Sequence, residues 1–136
     1  MKKLLTAVLA TALLSLGLVA AVEAPAQAAC PYSACIPTKT KASFPKQITG
    51  TSITVKVKVT PQTGTGTPTG TVRVAIKKYN GTFEVKQTKT YSGGKLSFTL
   101  TGLPKKGKYR VLAKFFPAAS SVYLKSKTRS NFIKTS

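Results

Sequence analysis

Chemistry in this chain is offered almost entirely by cations. Its 22 lysines and arginines stand against two acids, Glu23 and Glu84, and no histidine, for a formal net charge of +20 at pH 7. General acid–base catalysis near neutral pH recruits imidazoles or carboxylates, so this set of residues supplies no hydrolytic triad and no paired-carboxylate site. Calcium cages need several carboxylates, and zinc needs a Cys/His set that two cysteines without a histidine do not provide. A serine–lysine dyad is the one catalytic pairing the residue types still permit, and it needs a preorganised buried site for which a small alternating sheet gives little room. The expectation is a protein that is not an enzyme and takes no metal, no cofactor and no small-molecule substrate. Glu84 is expected to be the cross-strand salt-bridge partner of a lysine.

Small soluble domains usually carry a net charge magnitude of about 2–8, so solubility alone does not account for this excess. Lysines such as Lys39, Lys41, Lys56 and Lys58 on or near strand edges also block sheet-to-sheet aggregation, but that role leaves the shortage of acids unexplained. An anionic neighbour is implied. The candidates are cell-envelope polymers bearing phosphate or carboxylate, an anionic membrane surface, and nucleic acid bound without sequence preference.

The N-terminus ranks them. Met1-Lys2-Lys3, an apolar run from Leu4 to Val22 and the small-residue triplet Ala26-Gln27-Ala28 read as a secretory signal peptide over residues 1–28. An uncleaved anchor is the competing reading, because the run is nearly long enough to cross a bilayer; the triplet favours cleavage. A lipoprotein attached through Cys30 would want an aliphatic residue where Gln27 stands. Cleavage after Ala28 removes Lys2, Lys3 and Glu23 and so lowers the net charge from +20 by one. A secreted, extracellular or envelope-associated protein meets envelope polymers and membranes before it meets genomic DNA. Export also permits a disulfide: Cys30 and Cys35, in an N-terminal segment 29–38, are spaced for a small staple, with free thiols or intermolecular pairing as alternatives.

The elements that must carry the cations are strands. Ile36 to Phe44, bounded by Pro37 and Pro45, reads as a first, edge strand. Thr51 to Thr60 alternates, with Ile53, Val55, Val57 and Val59 on one face and Lys56 and Lys58 on the other. After a Thr/Gly/Pro connector from Pro61 to Gly70, Thr71 to Tyr79 resumes the alternation; Asn80-Gly81 reads as a type I′ turn and Thr82 to Tyr91 as the partner strand. Ser92-Gly93-Gly94 turns into Lys95 to Thr101, whose Leu96, Phe98 and Leu100 point inward. The stretch from Leu100 to Phe116 organises the rest, with a Gly102-Leu103-Pro104 corner leading into a strand headed by Tyr109 and continued inward by Val111, Ala113 and Phe115. Tyr109 is either a tyrosine corner, its hydroxyl bonded to backbone a few residues upstream, or simply a core tyrosine at a strand start. A last strand covers Val122 to Ile133. Seven strands with turn signals every 8–12 residues or so, and no helical period, predict an all-β chain: a seven-stranded Ig-like β-sandwich over residues 39–136, with a barrel as the alternative.

If the third, sixth and seventh strands share a sheet, its outer face carries Arg73, Lys77, Arg110, Lys114, Lys125, Lys127 and Arg129, with Leu112 and Phe116 among them. That face is the candidate anion-binding surface. Tyr79, Tyr91, Phe116 and Tyr123 are the only aromatics not clearly inward, which is few for a reader of stacked bases.

Three segments, 68–74 (Pro-Thr-Gly-Thr-Val-Arg-Val), 102–115 from Gly102 to Phe115, and 123–128 from Tyr123 to Thr128, resemble the bacterial Ig-like domain family of the group 3 type, as repeated in exported and surface proteins. The resemblance spans roughly Lys39 to Phe132 and implies an Ig-like sandwich at the cell surface, serving as a spacer or adhesion module without catalysis. Pro117-Ala118 stands where the family often has a Gly-Asp pair, and the chain is more basic than the family leads one to expect. The functional expectation is a secreted or surface-associated module that binds anionic envelope polymers by charge. The alternatives are a secreted cationic effector of the antimicrobial kind and a non-specific extracellular nucleic-acid binder. No segment beyond residue 28 has the pattern of the amphipathic helix that membrane-active effectors generally use.

Overall fold

Alternation of apolar and polar residues builds an all-β protein, seen in a computed structural model that describes residues 34–136. The signal peptide expected over 1–28, and the Cys30 half of the expected Cys30–Cys35 staple, lie outside the described residues. The strands are β1 (Thr38–Ser43), β2 (Gln47–Ile48), β3 (Ile53–Pro61), β4 (Gly70–Lys78), β5 (Glu84–Tyr91), β6 (Lys95–Leu100), β7 (Gly107–Pro117), β8 (Ser126–Lys127) and β9 (Asn131–Thr135). They form a three-stranded sheet, β1-β3-β6, and a six-stranded sheet in the order β2-β9-β7-β4-β5, with β8 also paired to β7. The arrangement is that of a β-sandwich.

Both sheets turn their apolar side to one core. Val55 and Val57 of β3 and Phe98 of β6 meet Val72, Val74 and Ile76 of β4, Tyr109, Ala113 and Phe115 of β7, and Ile133 of β9. Each such valine, isoleucine or phenylalanine contributes about 1.5–3 kcal/mol by leaving water, and period-two alternation then fixes every intervening polar residue to the outside. The burial pattern of β3, in which Ile53, Val55, Val57 and Val59 are buried and Thr54, Lys56 and Lys58 exposed, follows directly from that period.

Several expectations are corrected. The two-residue β2 escapes notice in the sequence because two residues carry no periodicity; it pairs in parallel with β9, Gln47 opposite Lys134 and Ile48 opposite Thr135. The single strand expected over 122–133 is broken in two. Thr128 N–H donates to the Ala113 carbonyl at 2.9 Å, while its hydroxyl accepts from Ala113 N–H at 3.1 Å, so a side chain completes a rung of the ladder. Below that rung Val111 faces Asn131, which leaves Leu112 alone opposite Arg129 and Ser130. Two residues against one is a β-bulge, and it inverts the parity of the rest of the strand. Ile133 turns into the core and Phe132 turns out, 39% exposed.

The Asn80-Gly81 turn is not type I′ either. That turn needs positive φ at both central residues, and of the two only Asn80 has it, at 55°. The hairpin closes instead through Lys78 N–H to the Phe83 carbonyl at 2.9 Å, and β5 begins at Glu84 rather than Thr82. Glu84 finds its lysine on its own strand: the ion pair is with Lys86, two residues on, at 3.1 Å, and both side chains are solvent-exposed enough for it to add little stability. At the start of β4, Gly70 (φ 155°) lies so close to β7 that any Cβ would strike the Phe116 carbonyl oxygen.

Candidate anion-binding face

Strand register lays out the outer face of the six-stranded sheet as rows. One row runs Arg73–Lys114–Lys127 across β4, β7 and β8. A second pairs Lys77 with Arg110, and a third pairs Lys108 with Lys134. Between the first two lie half-buried Ala75 and Leu112, opposite one another. Lys125 lines a hollow with Lys114 and Phe116, and Arg129 lines its neighbour with Leu112 and Lys127. Register thus places Arg73, Lys77, Arg110, Lys114 and Lys127 on one face, and Lys125 and Arg129 line hollows at its margin.

Like charges placed directly opposite on adjacent strands destabilise a sheet. Here they recur in row after row, and the one acid on this face, Glu84, is engaged by Lys86. The three-stranded sheet has a comparable row, Lys41–Lys58–Lys95, so cationic charge is not confined to one side. The two faces differ in kind. Arg73, Arg110 and Arg129 are the chain's arginines, and all three are on the larger sheet or its margin; the outer side of the smaller one carries lysines among serines and threonines.

Aromatic rings mark the larger face as well. Lys108 Nζ lies 4.4 Å from the centroid of Phe132 and 5.1 Å from that of Tyr79, and the Arg110 guanidinium lies 5.6 Å from Phe132. Tyr79 and Phe132 meet edge to face, with centroids 5.5 Å apart. At the other end of β7, the Arg73 guanidinium lies 5.4 Å from the Phe116 ring. Such contacts are worth about 0.5–1 kcal/mol at exposed sites, enough to bias a flexible cation toward the ring.

Lys108, Lys134 and Phe132 are absent from the sequence-derived face. Lys108 was legible, since it shares the outward parity of Arg110 and Lys114; the strand simply begins two residues earlier than Tyr109. Phe132 was not, because only the bulge brings it outside. Of the aromatics left open in the sequence, Tyr79 and Phe116 are exposed, Tyr123 is half-buried against the core and Tyr91 is fully inside. Tyr109 is buried as well, and its hydroxyl donates to the Pro104 carbonyl at 2.7 Å. Burial pushes that hydroxyl's pKa above its ordinary value.

Lys89 belongs to neither face. It lies on the inward side of the edge strand β5, where its Nζ donates to the Ser97 carbonyl of β6 at 2.7 Å and stands 5.4 Å from the Phe98 centroid. An inward-pointing lysine of this kind plugs the seam between the two sheets and discourages another chain from pairing there. Among the described residues no group of His, Cys, Asp and Glu side chains could hold a metal ion. No family model, curated protein or solved structure matches this chain.

Proposed function

We propose that the protein is a non-catalytic Ig-like module, secreted or held at the cell surface, that binds anionic envelope polymers through the outer face of its six-stranded sheet. The observation that carries this reading is the Arg73–Lys114–Lys127 row, cations set directly against cations with no acid in it; its neighbour Arg110–Lys77 repeats the pairing but ends on Glu84, which lies opposite Lys77 on β5. Folding gains nothing from such rows, whereas a polyanion laid across them relieves the repulsion and gains from it. The Ig-like assignment is supported by β1, β3 and β6 facing β4, β7 and β9, and by the Tyr109–Pro104 bond at the corner before β7.

Attachment by charge has a direct test. Washing producing cells with rising salt should release the protein progressively, because exposed ion pairs weaken as the Debye length shrinks from about 10 Å at 0.1 M to about 3 Å at 1 M. Retention that ignores salt would sink the reading. Leakage of anionic vesicles at low protein concentration would instead point to a membrane-damaging effector.

A further inference from the structure

Resting on that reading, we infer that the cationic face is divided into two stations, each steadied by an aromatic ring, and that its ligand is a flexible linear polyanion long enough to occupy both. The first station is Lys108 and Arg110 on Phe132, with Tyr79 in a T-shaped contact with that ring. The second is Arg73 on Phe116, beside Lys114 and Lys127. Half-buried Ala75 and Leu112 separate them, uncharged at the centre of a row whose cations, Lys86 opposite Ala75 and Arg129 opposite Leu112, stand at its two ends.

The rings decide what kind of ligand suits the face. Exposed aromatics that read nucleic acid offer a free π-face to a base. Phe132 instead already holds Lys108 and Arg110, and Phe116 holds Arg73, so both rings act as pedestals for cations. A cation already biased toward one position in this way has less side-chain entropy to lose when an anion arrives. The geometry thus favours anionic groups on a strand-like chain over stacked bases.

Spacing sets the length. Arg110 and Lys114 are four residues apart on β7, which at roughly 3.4 Å per residue puts the stations about 14 Å apart. A short anion fills one station. A chain whose contour exceeds that span fills both, and the second contact becomes intramolecular.

The test is a titration with linear inorganic polyphosphates of graded length, from tripolyphosphate upward, at about 0.15 M salt, with Phe132→Leu and Phe116→Leu beside the unmodified protein. Both rings are solvent-exposed, at 39% and 36%, and unchanged melting temperatures would confirm that the variants fold. The expected result is a step in affinity of about tenfold or more where the contour passes ~14 Å, lost in either variant while tripolyphosphate binding persists. Affinity that climbs smoothly with charge, or variants that keep the step, would overturn the two-station inference and leave the charge reading standing. Failure of every chain length to bind would remove the charge reading too. Tighter binding to anionic vesicles than to long polyphosphate, lost in the leucine variants, would overturn the inference in favour of a membrane surface.

Discussion

The Tyr91 hydroxyl completes the hydrogen bonding of Val59 in the opposite sheet. It accepts from Val59 N–H at 2.9 Å, and its proton faces the carbonyls of Val59 and Gly94 at 3.0 and 2.9 Å. The β3–β6 ladder ends at the pair Lys58–Lys95, so the hydroxyl stands where the next rung would have been and joins the two sheets at that point.

Replacing Tyr91 by phenylalanine keeps the ring but strands two buried backbone groups. The expected cost is about 1–3 kcal/mol, read as a fall in melting temperature of roughly 4–8 °C per kcal/mol for a domain of this size. A variant that melts with the parent would show that water replaces the hydroxyl there.

Tyr109 makes stability depend on alkaline pH. Its folded pKa is raised by burial, so its contribution is fully present below the unfolded value, near pH 10, and is lost as pH rises through the raised folded value. The difference in stability between the parent and Tyr109→Phe, measured by denaturant unfolding, should therefore shrink above about pH 10. The comparison isolates this group from every other titration. A difference that stays constant to higher pH would refute the linkage.

Lys114 sits between Arg73 and Lys127, and Lys114→Glu turns both like-charge contacts into opposite-charge ones. Each such pair contributes about 0.2–1 kcal/mol, so the variant should melt higher than the parent at low salt, by an amount that salt erodes. Its affinity for a polyanion should fall at the same time. A gain in stability without loss of binding would move the binding surface elsewhere.

Deleting Arg129 should leave Ser130 alone opposite Leu112 and so remove the bulge, with Asn131 still opposite Val111, Phe132 still outside and Ile133 still in the core. A cooperative thermal transition is expected to survive the deletion; its loss would show that the chain cannot pass from Thr128 to Asn131 without the extra residue. Arg129→Ala, which keeps the residue count, should fold normally.

What the sequence disclosed follows the same physics. Val55, Val57, Val72, Val74 and Val111 declare themselves through alternation, because a strand with one wet face leaves no other arrangement, and the same parity places Arg73, Lys77, Arg110 and Lys114 outside together. What it hid was whatever breaks the period. The Thr128 hydroxyl substitutes for backbone, an exchange no pattern of hydrophobicity records, and with it went the outward Phe132 and half of one station. Tyr91 was ambiguous because its ring belongs to the core while its hydroxyl needs a partner that only the opposite sheet supplies.

The bulge also divides the chain into regions where length is freely negotiable and one where it is bounded from above. The connector between β3 and β4, rich in threonine, glycine and proline, closes over the surface and could lengthen at little entropic cost, each doubling adding only about 0.6 kcal/mol. Between Thr128 and Asn131 the chain can shorten by one residue but cannot lengthen freely. A codon lost there leaves a regular ladder with Ile133 still inside, whereas one gained sets three residues against Leu112 or turns Ile133 out, so relatives of this protein that keep the cationic face should vary in the connector and hold this segment to its present length or one less.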